Sequence, residues 1–245
     1  MPRYRLDLEY DGTPFVGWQR QDNGHSVQGA LEAALARFTR ETPTVTGAGR
    51  TDAGVHATGQ VAHIDLERDW DPFRLSEALN YHLRPDPVAV LAASLAPEGF
   101  HSRFSATGRA YRYRIDTRRA PKVLEPNRSW RIAQALEVPA MQEAARLLVG
   151  RHDFSAFRSA YCQARSALRT LDRLEVIERG DEIHIEAAAR SFLHNQVRIM
   201  VGSLAQVGFG RWAPDRIKAA LESGLRAEAG QTAPPEGLYL TAVTY

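Results

Sequence analysis

The stretch Gly47-Ala-Gly-Arg-Thr-Asp-Ala-Gly-Val-His56 places one carboxylate, Asp52, between Gly49 and Gly54 and two residues after Arg50. Glycine loses more conformational freedom on ordering than any other residue, so a cluster of glycines marks unusual backbone angles or the close approach of another group. These residue types at this spacing suit one kind of chemistry. An aspartate shown on a turn can act as a nucleophile or a base, and a neighbouring guanidinium favours its ionised form. The competing interpretation is a turn in which Asp52 only accepts hydrogen bonds from nearby N–H groups.

Other uses of the glycines fail on spacing. A dinucleotide fingerprint G-x-G-x-x-G fits Gly47 and Gly49, but its third position is Asp52, a carboxylate facing a pyrophosphate. A Walker loop fits Gly49 and Gly54, but Val55 and His56 stand where lysine and a hydroxyl belong. His56 and His63 have no third ligand at a metal-binding spacing and read as structural, so no metal is expected.

The elements that must position Asp52 are legible around it. Residues 3–10, "RYRLDLEY", alternate like a half-buried strand. Ser26 looks like an N-cap for a helix through "VQGALEAALARFTR", with Val27, Leu31, Ala34, Leu35 and Phe38 on one face. The glycine-rich loop leads into a strand, "GQVAHIDL". A short helix "LSEALNYHL" and strands "PVAVLAASLAP" and "AYRYRID" follow. The second half has the same texture. "PAMQEAARLLVG" reads as a helix closed by Gly150, and two strands flank an "RGDE" turn. "SFLHNQVRIMVGSLAQVGFG" and "APDRIKAALESG" read as helices, and "EGLYLTAVTY" as a closing strand. The expected fold class is α+β: two related halves, 1–105 and 106–245, each a mostly antiparallel sheet with helices on one face, and an active-site cleft between them.

The 245 residues, 44% hydrophobic, suffice for a substantial core. Cys162 is the only cysteine, which excludes a disulfide framework and a cysteine-based zinc cluster. No apolar run reaches the roughly 18–20 residues that span a bilayer, and the first residues lack the apolar core of a signal peptide, so no membrane association and a cytoplasmic location are expected. Net charge is only +2, but its distribution is uneven. Between His101 and Arg131, at the junction of the halves, nine arginines and lysines face Asp116 and Glu125, a local net charge of +7. Arginine's planar fork suits phosphate and base stacking, so this stretch points to nucleic acid.

"GRTDAGVHATGQVAH" closely resembles the signature of tRNA pseudouridine synthases of the TruA family. Further blocks resemble that family in order along the chain: "YDGTPFVGWQRQ", "SVQGALEAAL", "FHSRFSATGRAYRYRI", "SFLHNQVRIMVGSL" and "APPEGLYLTAVTY". The resemblance implies an isomerase that converts uridine to pseudouridine at positions 38, 39 and 40 of the tRNA anticodon stem-loop. It implies tRNA as partner, a homodimer, and no redox cofactor, ATP or metal. By place in the motifs, Asp52 is the catalytic carboxylate and Tyr111 the active-site tyrosine. Arg198 is the late-helix arginine that pairs with the aspartate, which leaves Arg50 to contact RNA. Arg109, Arg112, Arg114, Arg158 and Arg165 are candidates for backbone contacts. The alternative from another class, a non-catalytic RNA-binding module on the same scaffold, shares the basic surface but gains nothing from an anionic Asp52 aimed at RNA.

Overall fold

The computed structural model of this chain describes residues 1–22 and 24–245. Its elements in chain order are β1 (Arg3–Tyr10), α1 (Val27–Thr39), β2 (Thr46–Gly47), β3 (His56–Asp65), α2 (Pro72–Leu83), β4 (Val88–Leu95), β5 (Gly108–Asp116), β6 (Trp130–Arg131), α3 (Val138–Arg146), β7 (Gly150–Asp153), β8 (Leu168–Arg179), β9 (Glu182–Ala189), α4 (Gln196–Gly208), α5 (Asp215–Ser223) and β10 (Leu238–Thr244). Two compact units contain them. Met1–Thr107 and Tyr239–Tyr245 form the first, and Gly108–Leu238 the second. The α+β class expected from the sequence is the one observed.

In the first unit the strands run in the order β4-β1-β3-β10, with β2 paired to β3. The β1–β3 and β1–β4 pairs are antiparallel, and the β3–β10 pair is parallel, Tyr239 opposite His56. Alternation along β1 buries Tyr4, Leu6, Leu8 and Tyr10 on one face and leaves Arg5, Asp7 and Glu9 on the other. Ser26 caps α1 by accepting the Gly29 N–H, and Asp71 caps α2 by accepting the Arg74 N–H. The apolar face expected for α1 is buried at Val27, Leu31, Ala34 and Leu35. Burying side chains of this kind contributes roughly 1.5–3 kcal/mol each, which fixes the helix to the unit.

The sheet of the second unit runs β5-β9-β8-β7 with every pair antiparallel, and the short β6 pairs parallel with β5. Tyr111, Tyr113 and Ile115 alternate inward and lie opposite Ala187, Ile185 and Ile183 of β9. The other face of the same strands is charged. Arg112 lies opposite Glu186 and pairs with it at 2.6 Å, and Arg114 donates to Glu182 and Glu125. Two helix expectations need correction. Helix α3 stops at Arg146, and Gly150, at φ +113°, opens β7 instead of closing a helix. Helix α4 starts at Gln196, because Asn195 is left-handed at φ 62° and the Gln196 side chain takes the Leu193 N–H at 2.8 Å. Residues 191–195 are therefore an approach to the helix, not part of it.

His63 on β3 is 5% exposed. Its Nδ1 lies 2.8 Å from Ser102 Oγ and 3.2 Å from the Ser102 nitrogen. Burial lowers its pKa to about 4, helped by the nearby charges of Arg3 and His101, while Asp65 opposes the shift. As pH falls below His63's ordinary value of 6.5, the unfolded chain takes up a proton that the folded chain refuses. Stability is thus complete above about 6.5 and is lost as pH falls toward 4. Urea midpoints measured across that window should fall for the native protein and fall less for His63→Gln, whose amide can still bond to Ser102 but does not titrate.

Candidate active site

Asp52 lies on a turn that its neighbours brace from several sides. The Val55 N–H donates to the Asp52 carbonyl at 3.1 Å, and Gly54 has φ +75°. An i→i+3 bond with a positive φ at the third residue is the geometry of a type II turn, which explains glycine at that place. The other side of the turn is held by the loop after β1. Gly17 forms an isolated antiparallel bridge with Asp52, and the Trp18 N–H donates to the Thr51 carbonyl at 3.0 Å. Gly17 sits at φ +118°, and a Cβ there would lie 2.7 Å from the Thr51 oxygen.

Beneath the turn runs a buried polar chain. Gln60, fully buried on β3, donates through Nε2 to the Gly49 carbonyl at 2.9 Å and more weakly to the Tyr10 hydroxyl at 3.4 Å. That hydroxyl lies 2.8 Å from Thr51 Oγ1. His56 accepts the Gly12 N–H at Nδ1 and stacks on Tyr239, 4.8 Å between ring centres. Buried polar groups satisfied in this way specify one geometry, since any other leaves a desolvated donor or acceptor. The outcome is a half-buried Asp52 between buried Thr51 and exposed Ala53, with Arg50 exposed on the same loop. Tyr10, Thr51 and Gln60 are the residues that sequence reasoning missed. A glutamine at the start of the strand segment "GQVAHIDL", directly after the glycine-rich loop, was the available signal.

The second unit holds the other candidates. Tyr111 is 9% exposed, and Phe192 meets its ring edge-on, 5.2 Å between centres at 87°. Phe192 can do this because α4 begins late, which leaves residues 191–195 free to lie across the strand. Tyr113 has the same parity but a different role. Its hydroxyl donates to the Pro234 carbonyl at 2.7 Å, and burial pushes its pKa well above the ordinary tyrosine value. Arg198, on the first turn of α4, donates through Nε to the Ala233 carbonyl at 2.8 Å and through Nη1 to Asn195 Oδ1 at 3.1 Å. The Ala233 N–H returns a bond to the Arg198 carbonyl, so the arginine's position is set by the segment that leads into β10.

The backbone-contact candidates divide. Arg112 and Arg114 are tied to acids of β9, as described above, and Lys122 pairs with Glu182 and Asp116. Burial alone would raise the Glu182 carboxyl. Hydrogen bonds from Arg114, Lys122 and His184 overcome that and hold it well below the usual carboxylate range. Arg109 donates to the Arg190 carbonyl at 2.6 Å. Arg158 is half-buried and Arg165 exposed. Among the described residues, no group of His, Cys, Asp and Glu is placed to hold a metal ion, and no helix is long and apolar enough to cross a membrane.

The α+β chain thus shows one half-buried carboxylate on a braced turn, with an exposed arginine two residues before it. The sequence profile of the family described as tRNA pseudouridine synthase matches residues 8–105 and 144–245. The chain is 57% identical over 249 residues to a protein of Jannaschia sp. named tRNA pseudouridine synthase A, covering all of this chain and 95% of that one. It is 58% identical to proteins of the same name from Paramagnetospirillum magneticum and Afipia carboxidovorans, again over the whole chain and over 96% and 100% of theirs. The chain belongs to the tRNA pseudouridine synthase family.

Proposed function

We propose that this protein isomerises uridine to pseudouridine at positions 38, 39 and 40 of the tRNA anticodon stem-loop, with Asp52 as the essential carboxylate. The observation that carries this reading is the bracing of the Asp52 turn by Gly17, Thr51, Tyr10 and Gln60 in a chain of this family. Purely structural turns rarely need a buried hydrogen-bonded chain to fix one half-buried acid, whereas a catalytic group must be held to a fraction of an ångström.

The reaction balances within the substrate. The bond from uracil N1 to the sugar C1′ breaks, the base turns, and a bond from C5 to C1′ forms. The proton on C5 leaves and N1 gains one, so neither an oxidant nor a phosphoryl donor enters the balance. Asp52 acts ionised. The uridine must leave its stack, at a cost of a few kcal/mol. Stacking on the Tyr111 ring offsets roughly 1–3 kcal/mol of that. The Tyr111 hydroxyl takes part in proton transfer at C5. Arg50 and Arg198 bind the substrate, and the RNA backbone contacts come from the set Arg109, Arg112, Arg114, Arg158 and Arg165. The protein works as a homodimer in the cytoplasm.

The direct test is incubation with an unmodified tRNA transcript without added cofactor, followed by carbodiimide modification and primer extension. Stops at positions 38–40 are expected, and their absence would overturn the reading. Tyr111→Phe keeps the ring and removes the hydroxyl. It should hold tRNA affinity within a few-fold and lower kcat by about tenfold or more. Full activity of this variant would leave stacking as the tyrosine's only role.

A further inference from the structure

We propose that the turn His101–Ser105 is a rigid stacking ledge for an unpaired nucleobase of the RNA substrate, with Phe104 as the stacking ring and Arg103 as its cation. This rests on the function proposed above and adds a substrate contact to it.

Phe104 is 74% exposed. Single exposed apolar residues are common, but this ring ends a supported column. His63, buried in the sheet, meets His101 edge-on at 4.7 Å and 61°, and His101 lies 4.4 Å from Phe104, tilted at 34°. The Arg103 guanidinium sits 5.8 Å from the centre of the Phe104 ring. Planar groups thus lead from the core to the surface and end in an exposed aromatic ring with the Arg103 guanidinium over it.

The backbone beneath the ring is fixed. Ser102 is fully buried. Its hydroxyl donates to the Thr46 carbonyl at 2.7 Å, its N–H to His63 Nδ1, and its carbonyl accepts the Tyr245 hydroxyl at 2.8 Å. His101 Nδ1 accepts the N–H groups of Arg103 and Phe104 at 3.2 and 3.3 Å. The Ser105 N–H donates to the His101 carbonyl, and the His101 N–H to Ser105 Oγ. A ring held this firmly loses little freedom when something stacks on it, so most of the contact energy is kept as affinity.

The chemistry of the ledge selects its occupant. Every nucleobase offers a π-face, and an adjacent arginine supplies cation–π attraction and partial neutralisation of phosphate. A base inside a helix has both faces covered by its neighbours, so the ledge suits a loop nucleotide. A protein partner would need a wider apolar surface than one ring flanked by Arg103 and Ser105. The ledge is also tied to the Asp52 turn, because Thr46 of β2 leads directly into the stretch that carries Asp52.

The test compares Phe104→Ala and Phe104→Trp with the native protein on an unmodified tRNA transcript. It measures Kd, KM, kcat, melting temperature and sedimentation. Phe104→Ala should weaken binding roughly five- to 100-fold and raise KM, with kcat at saturation and melting temperature little changed. Phe104→Trp should bind at least as well as the native protein. Unchanged Kd and KM in Phe104→Ala would overturn the ledge. So would a binding loss that comes with altered sedimentation, because Phe104 would then belong to a protein interface. If the native protein binds tRNA but forms no pseudouridine, the proposed function fails, and the Kd comparison still decides the ledge.

Discussion

Asp52→Asn should abolish pseudouridine formation while tRNA affinity stays within about tenfold, or roughly 1.4 kcal/mol. The substitution keeps the size of the side chain and removes its charge. The Asp52 main chain is held by Gly17 and Val55, and those bonds do not involve the carboxylate. These main-chain bonds should therefore survive the substitution, and a cooperative melt of the variant checks that it is folded. On the proposed function Asp52 faces RNA, and loss of its negative charge should not weaken docking. Binding would thus separate from turnover, as expected when a group acts in the transition state and not in recognition. Single-turnover assays with excess purified variant give the sharpest measurement, and appreciable product there would remove Asp52 from the chemistry.

Gly12→Ala should damage both stability and turnover. A Cβ at Gly12 would lie 2.0 Å from the Val55 carbonyl oxygen and 2.5 Å from its carbon, so backbone must move. Two bonds are exposed to that movement: the Gly12 N–H to His56 Nδ1, and the Val55 N–H to the Asp52 carbonyl that closes the turn. Overpacking of this kind costs about 1–3 kcal/mol or more. For a chain of this size that corresponds to a fall of roughly 2–12 °C in melting temperature. The Asp52 turn would shift with Val55, and a misplacement of about 1 Å can lower kcat on the order of 100-fold. Gly99→Ala serves as the control. Gly99 has a positive φ but nothing within 4 Å of an added Cβ, so its substitution should cost some stability and leave kcat near native. Equal kcat losses in both variants would show that the Val55 contact is not what matters.

Much of this protein was legible in its residue order. Alternation at Tyr4, Leu6, Leu8 and Tyr10 defined a one-sided strand, and the Ser26 cap with its apolar stripe defined α1, because local periodicity and capping are short-range physics. The glycine pattern around Asp52 marked a special turn, since only unusual backbone angles or a close approach justify so many glycines. Local signals also misled. "SFLHNQVRIM" carries helical periodicity, yet Asn195 adopts a left-handed conformation and Gln196 bonds back to Leu193, so α4 starts late and Phe192 reaches Tyr111.

Three matters were decided by tertiary structure alone. The charge of +7 between His101 and Arg131 counts only residues near in sequence, whereas β9 pairs with β5 and brings Glu182 and Glu186 onto Arg114 and Arg112. Coulomb attraction depends on distance in space, and strand register sets that distance. The second is the bracing of Asp52. Tyr10, Thr51 and Gln60 lie on three separate segments, and nothing in their order shows that one hydrogen-bonded chain joins them. The last strand likewise returns to the first unit, where Tyr239 pairs beside His56 and stacks on it. The sequence by itself determined the family resemblance, the glycine-flanked turn that shows Asp52, and the kind of elements that hold it. The folded chain decided which partners those residues meet, because burial and hydrogen bonding act between groups that only folding brings together.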